Sequence, residues 1–349
     1  MEEEKNLYPF RLVTLEDKFP WGSEEWALAD LGWKDTLVRD GWLTGNTMGE
    51  MMETYLDRMV GDDVFEWYGQ LFPFAVKTLK INGKSPLLAC PSDEIARERY
   101  DSLGKEKLWY VVSAKPGASL LLGFKKDADT STFFEACMAG NPDSMLNIVP
   151  IKSGQYFHIP AGVPHAILGE ATVVEISESS ALDFRLCTWG QRVPEDDDPG
   201  IPLNLVEALD FIDYERFPAE KLMGFSMDAR HPDDPQNVVR MIGLPQFTVN
   251  IIDLADALKI GGEQFDSCIS YTVVCGELSV QLPQGEDGKI DYLAVKTGET
   301  VLVPAEVEEF FLVPRTAGTV LLETMIEKRP EEDRYINPDV AARLPGEDD

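Results

Sequence analysis

The segment 154–167 constrains the fold of this chain more than any other, and it reads GQYFHIPAGVPHAI. Pro160 restricts φ and Gly162 tolerates positive φ, so the chain can reverse sharply between two strands at this point. His165 begins the outgoing strand. The pattern therefore predicts an antiparallel hairpin with a histidine just after its turn.

A second copy of this pattern lies near the C-terminus. Residues 298–305 echo residues 154–161 at a constant offset of 144 residues, and Glu309 stands where His165 would fall. A Gly, then Pro-x-Gly, then x-x-His resembles the second motif of the cupin barrels. Jelly-roll barrels of this kind pack two sheets into one body and so protect their edges. The sequence therefore predicts a mainly β protein made of two cupin (jelly-roll) barrels with helical insertions.

The domain organisation follows from this internal echo. We expect residues 1–235 to form an N-terminal cupin domain with helical insertions, which carries the candidate site. Residues 236–330 are expected to form a structural C-terminal barrel, followed by an acidic tail over 331–349. A chain of 349 residues is long enough for both cores.

Composition narrows the partners and the compartment. The chain has 62 acidic and 31 basic residues, a net charge of −31, which argues against binding to nucleic acid or to anionic membranes. An anionic substrate would need a local basic pocket. No apolar run reaches membrane length and no export signal opens the chain. Five scattered cysteines suggest reduced thiols, so we expect a cytoplasmic protein.

The assembled motifs resemble the type I phosphomannose isomerases, also called mannose-6-phosphate isomerases. The resemblance extends from Tyr8 to about Ile326. It is carried by five short motifs: Trp21-Gly22, Phe72-Pro73-Phe74-Ala75-Val76-Lys77, Gly104-Lys105 ahead of Trp109-Tyr110, Pro160-x-Gly162 with His165, and Arg185 ahead of Trp189-Gly190.

The resemblance implies an enzyme that interconverts mannose 6-phosphate and fructose 6-phosphate with a divalent metal, usually zinc, in the first barrel. The family's ligand positions correspond here to Leu88, Cys90, Lys107 and His165. Cys90 can bind zinc as a thiolate, and His165 is the unchanged ligand. Leu88 cannot ligate, and a protonated Lys107 repels a divalent cation. Zinc binding is therefore expected to be weakened or lost.

Two neighbouring residues leave the metal question open in the sequence. Glu106 normally faces the other side of the sheet from Lys107, but a one-residue bulge would bring it into the site. His158 lies across the turn from His165 and could reach the same cavity.

Two functions follow from the resemblance. In the first, the chain is an isomerase in which Arg185 and Lys105 match the family's active-site residues and bind substrate, while the ammonium of Lys107 stands near the vacated metal position. In the second, it is an inactive cupin that binds a sugar phosphate or another small anion as a sensor or regulator. Structural roles stay open, including an internal ion pair of Arg185 with Asp183 or Glu175 and a solvated Lys105.

Overall fold

Strands dominate the computed structural model, which describes residues 5–191, 204–218, 223–225, 238–261, 265–284 and 291–327. The strands, β1 to β22 in chain order, are Phe10–Val13, Leu15–Phe19, Gly22–Leu28, Leu37–Val38, Phe74–Lys84, Leu87–Ala89, Lys107–Ala114, Ser119–Phe124, Leu146–Pro150, Gln155–Ile159, His165–Glu178, Phe184–Cys187, Met223–Phe225, Val238–Gly243, Thr248–Leu254, Leu258–Gly261, Ile269–Cys275, Glu277–Gln281, Tyr292–Lys296, Thr300–Val303, Glu309–Pro314 and Thr319–Met325. The helices, α1 to α6, are Met48–Tyr55, Asp57–Val60, Asp62–Tyr68, Asp93–Tyr100, Thr130–Met138 and Leu205–Ala208. The predicted mainly β fold is confirmed. Within these ranges, no helix is long and apolar enough to cross a membrane.

The chain divides into two compact units, and the first barrel unit comprises residues 15–26 and 75–227. Its main sheet has the order β13-β10-β7-β11-β5-β3-β2, with β6, β8, β9 and β12 joined through β11. The long strand β11 pairs with β8 from His165 and with β7 around Glu175. Gly169 lies between these halves with φ of 92°, and a Cβ there would lie 2.9 Å from Ala118 Cα. One strand thus serves both faces of the barrel.

The second barrel unit comprises residues 1–14, 27–74 and 228–349. A seven-stranded sheet, β14-β15-β22-β17-β20-β1-β4, and a four-stranded sheet, β16-β21-β18-β19, contribute to one core. Tyr271 of the larger sheet and Phe310 of the smaller one meet in that core, with ring centroids 6.0 Å apart. This is the sandwich arrangement expected of a jelly roll.

These units differ from the predicted domain boundaries in the first 74 residues. Strand β1 pairs with β20, with Phe10 opposite Leu302. The backbone N–H of Cys268 donates to Val60 O, so the segment that contains α1 to α3 is tied to the C-terminal strands. The predicted acidic tail over 331–349 lies outside the described residues.

The internal echo corresponds to equivalent backbone in the two units. Gly154 and Gly298 have φ of 85° and 86°. The N–H of Val163 donates to Pro160 O at 3.3 Å, and the N–H of Val307, 144 residues later, donates to Pro304 O at 3.1 Å. Glu309 begins β21 as His165 begins β11, and it pairs with Lys259 Nζ at 2.6 Å. The two turns match, but the second presents a carboxylate in an exposed ion pair.

The Pro-x-Gly turn gives a stability prediction. Gly162 has φ of 80°, and a Cβ there would lie 2.9 Å from Phe211 O, whereas Gly140 has φ of 72° and open space around it. We expect Gly140→Ala to cost about 1 kcal/mol from backbone strain, and Gly162→Ala to cost about 2 kcal/mol or more because a clash is added. Urea unfolding of both variants measures the difference. Equal destabilisation would contradict the close approach at Gly162.

Candidate functional site

Strands β7 and β11 place three polar side chains on one buried face. Lys107 begins β7, and Trp109 follows two residues later on the same side of the strand. Glu175 of β11 lies opposite Trp109 in the sheet register. The indole Nε1–H of Trp109 donates to Glu175 Oε2 at 2.6 Å. The alternation of the strands therefore points Lys107 and Glu175 into the same interior.

The Pro-x-Gly turn adds His165 and Cys90 to this region. The N–H of Gly162 donates to the carbonyl of Cys90 at 2.7 Å, which ties the turn to the end of β6. His165 lies opposite Leu88 in the sheet. The structure thus brings positions 88, 90 and 165 to the region of Lys107.

The ammonium of Lys107 is fully buried and contacts two of these partners. Its Nζ donates to Asp183 Oδ1 at 2.5 Å and lies 3.2 Å from His165 Nε2. Glu175 Oε2 is 3.9 Å away, beyond hydrogen-bond distance. Among the described residues, the third N–H of Lys107 therefore has no hydrogen-bond acceptor.

The carboxylate of Asp183 bridges the ammonium groups of Lys105 and Lys107. Its Oδ2 accepts from Lys105 Nζ at 2.7 Å, and Lys105 also donates to Ser180 O at 2.7 Å. Lys77 Nζ lies 3.9 Å from the same carboxylate oxygen. The thiol of Cys90 donates to Asp183 Oδ1 at 3.3 Å.

Lys77 extends the group toward solvent. Its Nζ contacts Glu24 Oε2 at 3.1 Å and Glu175 Oε1 at 3.4 Å, and it lies over the ring of Trp26, 4.7 Å from the centroid. The side chains of Glu24 and Asp183 are 20% and 22% exposed, so solvent reaches the group through these two carboxylates. We call the six residues the lysine–carboxylate cluster: Lys77, Lys105, Lys107, Glu24, Glu175 and Asp183.

Mutual attraction keeps the cluster ionised despite its burial. Burial by itself would lower the pKa of Lys107, but Asp183 and Glu175 raise this pKa well above its ordinary value. Burial opposes ionisation of Glu175 as well, yet Lys107 and Lys77 lower its pKa to about 2. The pKa of Asp183 falls well below its usual range because the three lysines outweigh the effect of burial. With three ammonium and three carboxylate groups, the cluster is neutral overall.

His165 is held as a neutral imidazole. Burial, followed by the nearby Lys107 ammonium, lowers its pKa to about 3. Its Nδ1–H donates to Val163 O at 2.8 Å. The lone pair on Nε2 therefore accepts a hydrogen bond from the ammonium of Lys107.

A divalent metal does not fit the residues at the family's ligand positions. The Nε2 lone pair of His165 is already used by Lys107. Burial raises the pKa of the Cys90 thiol to about 12, so in the metal-free protein the sulfur stays protonated and donates to Asp183 Oδ1. No group of three or more His, Cys, Asp or Glu side chains in the described residues is arranged to hold a metal ion.

Glu106 and His158, which the sequence left open as metal ligands, contact each other instead. Glu106 does not turn into the site, because its carboxylate contacts His158 Nε2 at 2.6 Å and accepts from Ala161 N–H at 3.1 Å. His158 of β10 pairs with Leu108, so its side chain lies on the opposite face of the sheet from Lys107, and Glu106, just before β7, contacts it there. The bulge that would bring Glu106 inward is absent at this position.

Two other residues predicted for the site, Lys105 and Arg185, lie two residues from Lys107 and Asp183 in the sequence. Lys105 is buried rather than solvated. Arg185 is half-buried on β12, opposite Leu88 in the sheet. Sequence reasoning did not assign Lys77 or Glu24 to the site. Lys77 stood in a motif of the resemblance, but its strand position alone did not reveal which face it occupies.

Comparisons with known proteins agree with this fold. The chain matches no protein-family model. It is 26% identical over 169 residues to a mannose-6-phosphate isomerase of Streptococcus mutans, covering 48% of this chain and 52% of the relative. It is 26% identical over 175 residues to the mannose-6-phosphate isomerase ManA of Bacillus subtilis, covering 49% and 53%. The chain therefore spans about half the length of the curated relatives it matches.

Solved structures resemble the chain over a greater length. A mannose 6-phosphate isomerase from Bacillus subtilis has a TM-score of 0.75 at 18% identity, covering 91% of this chain and 99% of that structure. A variant phosphomannose isomerase from Salmonella typhimurium has a TM-score of 0.69 at 14% identity, covering 92% and 100%. Sequence and fold together confirm the resemblance to the phosphomannose isomerases.

The neutral state of His165 predicts a pH effect on stability. Its pKa is about 3 in the folded chain and 6.5 ordinarily, so between these values the unfolded chain binds the extra proton. The imidazole faces Lys107, Asp183 and Glu175, all of which stay charged in this range. We expect the free energy of unfolding to fall by about 1.4 kcal/mol per pH unit through this residue as pH decreases from about 5.5 to about 4. His165→Gln should flatten the profile by that slope in urea titrations. Parallel profiles of the two proteins would contradict a neutral buried His165.

Removing the buried ammonium gives a further stability prediction. Lys107→Met removes the ammonium from Asp183 Oδ1 and the donor from His165 Nε2, and it leaves two ammonium groups against three carboxylates in the cluster. We therefore expect destabilisation by about 3–5 kcal/mol. Lys80→Met is the matched control, because Lys80 is half-exposed and pairs with Glu25 at the surface. Its cost should stay below about 1 kcal/mol. Similar losses for both variants, measured by urea unfolding, would show that burial does not strengthen the Lys107 contacts.

Proposed function

We propose that this relative of the phosphomannose isomerases is a sugar-phosphate isomerase that interconverts mannose 6-phosphate and fructose 6-phosphate without a resident metal ion. The observation that carries the proposal is the buried ammonium of Lys107, held against His165 at the place where the resemblance puts the metal. The similarity to curated mannose-6-phosphate isomerases supports the substrate class.

The reaction needs a fixed positive group. Aldose–ketose isomerisation moves a proton between C2 and C1 of the sugar through an enediol, and negative charge develops on the adjacent oxygen. A preorganised cation stabilises that charge without reorganising during the reaction. Lys107 keeps one N–H without a hydrogen-bond acceptor among the described residues, and its raised pKa keeps it cationic. In this proposal it polarises the sugar carbonyl.

The proton transfer falls to the carboxylates that solvent reaches, Glu24 and Asp183. Asp183 is a weak base while Lys105 and Lys107 hold its two oxygens. A sugar oxygen that displaces Asp183 from Lys107 would free Oδ1 and raise its basicity, which brings it nearer to the pKa that general-base catalysis favours. Lys105 then positions Asp183 through Oδ2. Arg185 is proposed to bind the substrate.

A second function is favoured by a different observation. All three ammonium groups are neutralised inside the cluster, and Lys107 has no exposed surface. A closed, neutral cluster suits a protein that binds a sugar phosphate as a sensor or regulator without converting it. Either function fits a cytoplasmic protein.

A coupled assay separates the two functions. We expect turnover of mannose 6-phosphate that is unchanged by chelator, because no metal takes part in the proposed reaction. Lys107→Met should lower kcat/KM by about 10²-fold or more, as expected for loss of a group that stabilises an oxyanion. Lys80→Met should have no effect.

The contrary outcomes are equally clear. Activity abolished by chelator and restored by zinc would contradict the metal-free reaction. A rise in melting temperature with mannose 6-phosphate but no turnover would support the binding protein instead, since a ligand of the native state stabilises it by mass action.

A further inference from the structure

Lys107 differs from the other two lysines of the cluster in one contact. Its Nζ lies 3.2 Å from His165 Nε2, whereas Lys105 contacts Ser180 and Asp183, and Lys77 contacts carboxylates and the ring of Trp26. Among the lysines of the cluster, Lys107 is therefore the one whose ammonium contacts the lone pair of the buried His165 imidazole.

We propose that the charge of residue 107 alone decides which cation this pocket holds. The wild-type chain fills the pocket with its own tethered ammonium and rejects divalent metals, whereas a carboxylate at this position makes the pocket bind zinc. This inference deepens the proposed function, because it names what stands in place of the metal ion in the same site. Its test reads metal content and does not depend on turnover.

Three features make the wild-type pocket reject a divalent ion. A metal at His165 would lie beside an ammonium in a cluster that is already neutral, so two added charges would be unbalanced. Displacing Lys107 would break its contacts with Asp183 Oδ1 at 2.5 Å and with His165 Nε2 at 3.2 Å. The thiol of Cys90 already donates to Asp183 Oδ1 at 3.3 Å, so its sulfur is engaged inside the cluster.

Reversing the charge of residue 107 removes the first two of these obstacles, because no ammonium then stands beside His165 or needs to be displaced. Lys107→Glu leaves two ammonium and four carboxylate groups in the cluster, a deficit of two charges that one divalent cation cancels. The lone pair of His165 Nε2 becomes available, and the new carboxylate stands next to it. Asp183 Oδ1 and Cys90 Sγ, which are 3.3 Å apart, supply further ligand atoms for the metal. Imidazole, carboxylate and thiolate are the groups that zinc takes in tetrahedral sites.

Lys105→Glu is the matched control. It changes the cluster by the same two units of charge, but Lys105 does not contact His165. Each protein is equilibrated with zinc, freed of excess metal and measured by elemental mass spectrometry. We expect about one zinc ion per chain in Lys107→Glu and less than about 0.1 in wild type and in Lys105→Glu.

The double variant Lys107→Glu with His165→Ala should lose the metal. With cobalt instead of zinc, a thiolate-to-metal absorption band reports whether Cys90 is a ligand.

Several results would overturn the inference. These are stoichiometric zinc in wild type that His165→Ala removes, equal uptake by Lys105→Glu, or a folded Lys107→Glu protein without metal. If Lys107→Glu is unfolded by circular dichroism, zinc should restore its structure by restoring the charge balance, and failure to do so also counts against the proposal. The proposed function is judged separately: an inactive wild type alongside zinc-binding Lys107→Glu would reject the isomerase and retain the inference.

Discussion

An ammonium buried beside a neutral imidazole is costly unless carboxylates surround it, and the first barrel unit meets this requirement for Lys107. Desolvation of a charge is offset only by close opposite charges and good hydrogen bonds. Asp183 and Glu175 supply the opposite charges. Glu175 in turn accepts a hydrogen bond from Trp109, and Lys105 donates one to Ser180 O. The alternation along β7 and β11 and the turn at Gly162 all place residues that this single charge depends on.

The cluster has consequences for chemistry as well as for stability. Fixed charges in a dry interior act on a substrate without waiting for solvent to reorganise, which is the source of most electrostatic catalysis. Here the charges are balanced inside the molecule, so in the proposed reaction a sugar oxygen replaces one of the internal contacts. Asp183 is the member placed for such an exchange, since it is partly exposed and holds Lys105 with one oxygen and Lys107 with the other.

Sequence reasoning found the hairpin, the internal echo and the fold class because each depends on local signals. Proline and glycine fix the turn, and period-2 alternation marks the strands. Domain membership was harder to predict, since β1 pairs with β20 across almost three hundred residues. The members of the candidate site could be predicted only in part. His165, Lys107, Lys105 and Cys90 stand at motif positions, whereas Lys77 and Glu24 join them only because β5 and β3 lie in the same sheet.

The sequence by itself determined that this chain folds as two related barrels and that the family's metal ligands are changed at Leu88 and Lys107, since both conclusions rest on residue types at fixed spacing. Only the tertiary structure decided what fills the site. The side chain of Glu106 turns away to His158, that of Lys107 turns inward to His165 and Asp183, and carboxylates distant in the chain keep it charged. The reason is physical: a charge is tolerated in a protein interior according to its neighbours in space, and these come from strands that only the folded sheet brings together.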